Sequence, residues 1–244
     1  MKELKIVNEL DLGVAVNGSY VVGNYIYILA DVLYRAPISG DSIGTPEPLS
    51  SIVNPNSIVS DGTYLYVAHT IDGNYTISAI AVDNFNLLAT YNDTFPQRLA
   101  DLKLDLYGNA VARYHATSTI AQLHIYSYNP ALNMVSRLAA ASLFQLSGSS
   151  SLMHGHILMD NLIVVAGGGS KLHMISWDGN NLNYISEDIY IPLTSLQKIN
   201  NEYAVAFAPT WTILIRIVDG VRQVINFISA SDNLRAGDTD GTYI

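Results

Sequence analysis

The chain has 244 residues, of which 49% are apolar and only 14% charged. That is apolar material for one large core and too little charge for a disordered chain. The net charge is −9 and the 12 Lys and Arg residues are scattered, which argues against nucleic-acid binding through phosphate contacts. There is no cysteine, so disulfide frames and thiolate metal sites are excluded.

In chain order, Leu4–Leu12 comes first and reads as an extended strand. The N-terminus lacks the apolar core of a signal peptide, and no later run approaches the ~20 apolar residues of a spanning helix. Neither a leader nor membrane insertion is expected. A strand–turn–strand motif then occurs five times, over Gly18–Ala30, Asn56–His69, Leu102–His115, Gly155–Gly167 and Leu196–Ala208. The second strands of these copies begin near Tyr25, Tyr64, Ala110, Leu162 and Tyr203, at spacings of 39, 46, 52 and 41 residues.

Each of the last four copies continues into an alternating run: Ile77–Val82, Leu123–Tyr128, Leu172–Trp177 and Leu214–Val218. Period-two alternation marks a half-buried strand. A polar turn and a fourth strand follow, as in Trp177–Leu182. Asx-Gly and Asx-Pro steps supply the turn chemistry, and Asp-Gly alone occurs five times. The first copy is the least regular. Its third strand is expected at Val32–Ser39, a loop at Gly40–Pro48, and a weak fourth strand at Leu49–Val53. Residues 134–147 are read as strand plus loop in preference to a short helix.

Repeats of four-stranded antiparallel meanders at this length resemble the β-propeller superfamily. The hairpins ending the third and fourth copies, around Tyr128–Met134 and Trp177–Leu182, are similar to those of lactonase-type propellers. The Trp177-Asp178 pair resembles the WD repeat but lacks its Gly-His partner. The resemblance implies an all-β, five-bladed propeller over residues 1–231, with residues 1–12 closing the ring as an additional strand and residues 232–244 forming a tail. Five-bladed rings include lectins and glycoside hydrolases.

The same resemblance implies a ligand rim at the ends of the second strands and the starts of the first. His69, His115, His154 and His156 fall there, with Arg98 and Asp101 nearby. Converging imidazoles are able to hold a metal, but a metal-free ligand-binding rim is the expectation, with no cofactor. Arg113 is a second candidate for an anion or for pairing with a neighbouring Asp. Asp31 and Asp72 are expected to cap turns, and His124 and His173 to pack between blades at matching positions. Gly167–Ser170 lies between strands and lacks the helix and Lys-Ser/Thr pair of a phosphate loop. No Gly-x-Ser-x-Gly elbow occurs.

With 16 Tyr against 5 Phe, the surface suits interfaces and glycans. The expected function is therefore non-catalytic binding or assembly: a surface or virion structural protein that recognises a glycan or a neighbouring subunit, as a homo-oligomer or within a larger assembly. The alternative is a hydrolase or lyase acting on a carbohydrate or lactone at the top rim.

Overall fold

The computed structural model describes residues 9–93, 99–114, 121–143, 155–167, 171–188, 195–207, 211–218 and 221–229. Among these, every regular element is a strand, and no helix is long and apolar enough to cross a membrane. The strands form five antiparallel sheets. The first holds β1 (Gly18–Val22), β2 (Tyr25–Leu29), β3 (Val32–Ser39), β4 (Ser42–Ile43) and β5 (Glu47–Val53). The second holds β6 (Ser57–Ser60), β7 (Tyr64–Ile71), β8 (Asn74–Ala81) and β9 (Leu87–Asp93). The third holds β10 (Leu99–Leu104), β11 (Ala110–Tyr114), β12 (Ala121–Asn129) and β13 (Met134–Leu143). The fourth holds β14 (Gly155–Met159), β15 (Leu162–Gly167), β16 (Lys171–Trp177) and β17 (Leu182–Asp188). The fifth holds β18 (Ser195–Lys198), β19 (Tyr203–Phe207), β20 (Trp211–Val218) and β21 (Val221–Ser229).

Each sheet is an up-and-down meander in sequence order, with one addition in the first, where β5 pairs with β3 beyond the short β4. All five second strands begin at the residue their sequence motif marks. Two details differ from expectation. The segment after Gly40 contains the two-residue strand β4, because Ser42 and Ile43 fold back onto Ser39 and Ile38. The fourth strand of that sheet begins at Glu47 rather than Leu49. Residues 134–143 are strand, and 144–147 lie outside the described residues. So do residues 1–8, most of the proposed ring-closing strand, and the 232–244 tail; Glu9–Leu12 carry no strand.

Turn chemistry sets the register. Asp72 and Gly73 join β7 to β8 with φ of 48° and 81°, pairing Ile71 with Asn74. Two positive φ values in a two-residue loop match the right-handed twist of the flanking strands. Elsewhere Asx side chains lock the turn. Asp61 Oδ1 accepts the N–H groups of Thr63 and Tyr64, and Asn200 Oδ1 those of Glu202 and Tyr203.

The chain forms two compact units. One comprises Met1–Pro96 with Tyr128–Ser136, the other Gln97–Ser127 with Arg137–Ile244. In the first, Tyr27, Leu29, Leu33 and Ile52 pack with Ile58, Leu65, Val67 and Ile80 of the next sheet. Arg35 is clamped there too: its guanidinium stacks on Tyr25 and Phe85 at 4.6 and 4.7 Å and donates to Glu47 and to the Val82 carbonyl.

In the second unit the fourth sheet is buried on both faces. Ile163, Val165, Ile175 and Trp177 pack on Val111, Leu123 and Ile125 of the third sheet. Their alternates Leu162, Val164, Leu172 and Met174 pack on Ala204, Ala206, Ile213 and Ile215 of the fifth. Burial of each large aliphatic side chain contributes ~1.5–3 kcal/mol, and two-sided burial explains the continuous apolar runs of the second strands.

Candidate functional site

The first strands β10, β14 and β18 neighbour one another in sequence order within their unit. Register places Asp101 of β10 opposite Arg113 and His156 of β14 opposite Val165. Arg113 lies on the Val111 face of the third sheet and Val165 on the facing side of the fourth, so Asp101 and His156 stand on the two faces turned toward each other. Their side chains meet. His156 Nδ1 is 3.3 Å from Asp101 Oδ1, and Arg113 Nε donates to the same oxygen at 2.7 Å.

His156 is fully buried, and neither of its ring nitrogens has an aligned hydrogen-bond partner among the described residues. The Asp101 side chain remains 29% exposed. Burial works against charge on Asp101, but His156 and Arg113 outweigh it and hold the carboxyl well below the usual carboxylate range. The site is a carboxylate whose Oδ1 is held between the Arg113 guanidinium and the His156 imidazole.

His69 sits in the other unit. Its Nε2 lies 2.7 Å from Ser78 Oγ across β7 and β8, and burial lowers its imidazole to about 4. That separation suits a nucleophile and its base. Ser78 is wholly buried, however, and His69 Nδ1 has no hydrogen-bond partner among the described residues to orient the ring. The pair is a closed interior hydrogen bond. His115, His154 and Arg98 lie outside the described residues.

Asp31 and Asp72 behave as turn residues: Asp31 accepts from the Val32 N–H and the Tyr34 hydroxyl. His124 and His173 are both buried. His124 pairs with Ala112, third in β11, whereas His173 pairs with Val165, fourth in β15. Ala112 and His124 alternate with Val111 and Ile125, which face the fourth sheet, while Val165 and His173 lie on the Ile175 face, away from the fifth, so both histidines stand on the face turned away from the next sheet. His124 joins a chain in which Tyr114 and Tyr126 hydroxyls meet at 2.8 Å, Tyr126 lies 3.0 Å from His124 Nδ1, and Gln122 Oε1 lies 2.7 Å from Nε2. Among the described residues, no three His, Asp or Glu side chains gather in metal-binding geometry.

Sequence inspection missed the role of Ser78 and the direct pairing of Asp101 with His156.

The sequence matches no family model and no curated protein. Its fold is similar to that of a candidate 6-phosphogluconolactonase from Bacteroides fragilis, at 12% identity and a TM-score of 0.63, covering 89% of this chain and 71% of that one. It is also similar to a functionally unknown protein from Desulfotomaculum acetoxidans, at 7% identity and a TM-score of 0.69, covering 90% and 72%. A third likeness is to KlAtg21 solved with the coiled coil of AgAtg16, at 7% identity and a TM-score of 0.66, covering 88% and 71%. At these identities the likeness establishes the fold: an all-β protein of five antiparallel blades of the β-propeller type.

Proposed function

We propose that this chain is a non-catalytic recognition propeller that binds a partner subunit or a glycan within a larger assembly. The observation that carries this is the state of Asp101. Hydrolysis of a glycoside calls for two carboxyls, one ionised and one that still holds its proton near neutral pH, and Asp101 is unsuited to the second role. Asp101 is driven the opposite way by Arg113 and His156. It is an acceptor of hydrogen bonds, suited to a donor-rich ligand. The other polar pair, His69 and Ser78, is sealed from substrate. Likeness to a propeller solved with a coiled-coil partner supports the same view at the level of the fold.

The test is turnover. The full chain and its Asp101→Asn variant are assayed side by side on a panel of lactones and aryl glycosides. No turnover above buffer by either protein is expected. Turnover by the native chain that disappears in Asp101→Asn would establish the hydrolase alternative instead.

A further inference from the structure

Two clefts of about 450 and about 440 Å³ recur at one position of the repeat, one in each unit. Both volumes fall in the ~300–1,000 Å³ range of small-molecule sites. Their equivalence follows from backbone bonds. Val82 N–H donates to the Thr63 carbonyl in one, and Trp177 N–H to the Asn161 carbonyl in the other. Thr63 and Asn161 each precede a second strand, and Leu88 and Ile185 wall the clefts from the two fourth strands.

The linings share a chemistry. The first combines Thr63, Asp83 and Asn84 with Tyr64, Leu88 and Tyr128. The second combines Asp160, Asn161, Ser176 and Asn201 with Leu162 and Ile217. Neither includes a Lys or Arg among the described residues, so neither favours an anion.

The polar groups are already positioned. Asp83 Oδ1 accepts the Asn84 N–H, and Asn84 Oδ1 accepts the Asn86 N–H. This leaves Asp83 Oδ2 as acceptor and Asn84 Nδ2 as donor, side by side on one turn. In the second cleft Asn201 Nδ2 bonds Asp160 Oδ1, leaving Asp160 Oδ2 and the Asn201 carbonyl oxygen. Tyr64 stands half-buried with its ring fixed by an edge contact to Tyr128 at 4.9 Å and 65°. A fixed carboxylate and amide beside an apolar wall match vicinal hydroxyls and the C–H face of a sugar ring.

We infer that these clefts are two repeated binding sites for a neutral saccharide. The inference deepens the recognition function proposed above by naming a ligand class and a location separate from Asp101.

The experiment titrates the full chain with methyl glycosides of galactose, mannose and N-acetylglucosamine and with their disaccharides, followed by calorimetry and ligand-observed NMR. Two sites per chain are expected for at least one sugar. Asp83→Ala with Asn84→Ala should remove one site, and Asp160→Ala with Asn201→Ala the other, each weakening its site at least ~10-fold. These side chains are exposed, so an unchanged melting temperature should show that the fold survives. No binding by any of these sugars overturns the inference. So does binding that survives both double variants, or that is lost only in Asp101→Asn. Failure here with no catalytic turnover leaves the recognition function standing; sugar binding at the clefts together with Asp101-dependent turnover removes that function and keeps the clefts.

Discussion

The indole N–H of Trp177 donates to Asp105 Oδ2 at 2.7 Å, linking residues 72 apart that belong to consecutive sheets of one unit. Asp105 also accepts the N–H groups of Tyr107 and Asn109 on Oδ1 and the Asn109 side-chain amide on Oδ2. One buried carboxylate therefore closes the β10–β11 turn and ties it to the end of β16. Related pins occur in the other unit. Tyr27 Oη donates to the Val82 carbonyl at 3.4 Å, and Tyr66 Oη accepts the Tyr128 N–H at 3.1 Å. In both, a tyrosine third in its second strand reaches the end of the third strand of the next sheet.

The Trp177 pin makes a stability prediction. Trp177→Phe keeps most of the packing but removes the donor, so a buried carboxylate oxygen loses a partner at a cost of ~1–3 kcal/mol. Asp105→Ala should cost more, because the turn bonds go as well. Denaturant unfolding of the single and double variants forms a cycle, with an expected coupling of ~0.5–3 kcal/mol. Strict additivity would show that the two residues act independently.

His69 predicts a pH dependence. Its folded-state value is about 4, against ~6.5 for an unperturbed imidazole. Between those values the unfolded chain takes up a proton that the folded chain refuses, so stability falls as pH falls through this window. The size is about 3 kcal/mol, from ~1.4 kcal/mol for each step of pKa. His69→Gln retains a side-chain amide near Ser78 and has no proton to take up. Unfolding curves at about pH 7 and about pH 4.5 should therefore converge more closely for the variant than for the native chain. Equal pH dependence in both would mean that His69 titrates normally.

Much of the fold was legible because its signals are local. Two-residue turns with Asx and Gly fix hairpins, and strand alternation fixes which side chains face a neighbouring sheet, as Ile163 and Val164 do on opposite faces of β15. The site was only half legible. A histidine at a strand end is visible in sequence, but whether it meets a carboxylate depends on register between strands of different sheets. Asp101 and His156 meet because their strands turn these two positions to facing sides of adjacent sheets. Trp177 was noticed for its dipeptide, while its partner Asp105 lies in a turn whose length is peculiar to the third sheet. Arg35 gave no sequence signal, since its clamp needs Tyr25, Phe85 and Glu47 brought together by three separate pairings.

The Asp101 cluster supplies the final prediction. Asp101→Asn removes the carboxylate charge beside the buried side chains of Arg113 and His156. Breaking a buried pair on one side costs ~3–5 kcal/mol, and the low end applies because Asp101 is 29% exposed. Removing the Arg113 charge as well, in Asp101→Asn with Arg113→Leu, should recover part of the loss, because no buried guanidinium then lacks the Asp101 carboxylate. The acid limb separates this cluster from His69. A carboxyl whose folded value is depressed contributes stability that is fully present above its ordinary value of ~3.9 and is lost as pH falls below it. Native protein should therefore lose stability below about pH 4 more steeply than Asp101→Asn, after the His69 window has already passed. If the two proteins run parallel there, Arg113 and His156 do not hold the charge on Asp101, and the fixed acceptor on which the recognition function rests is absent.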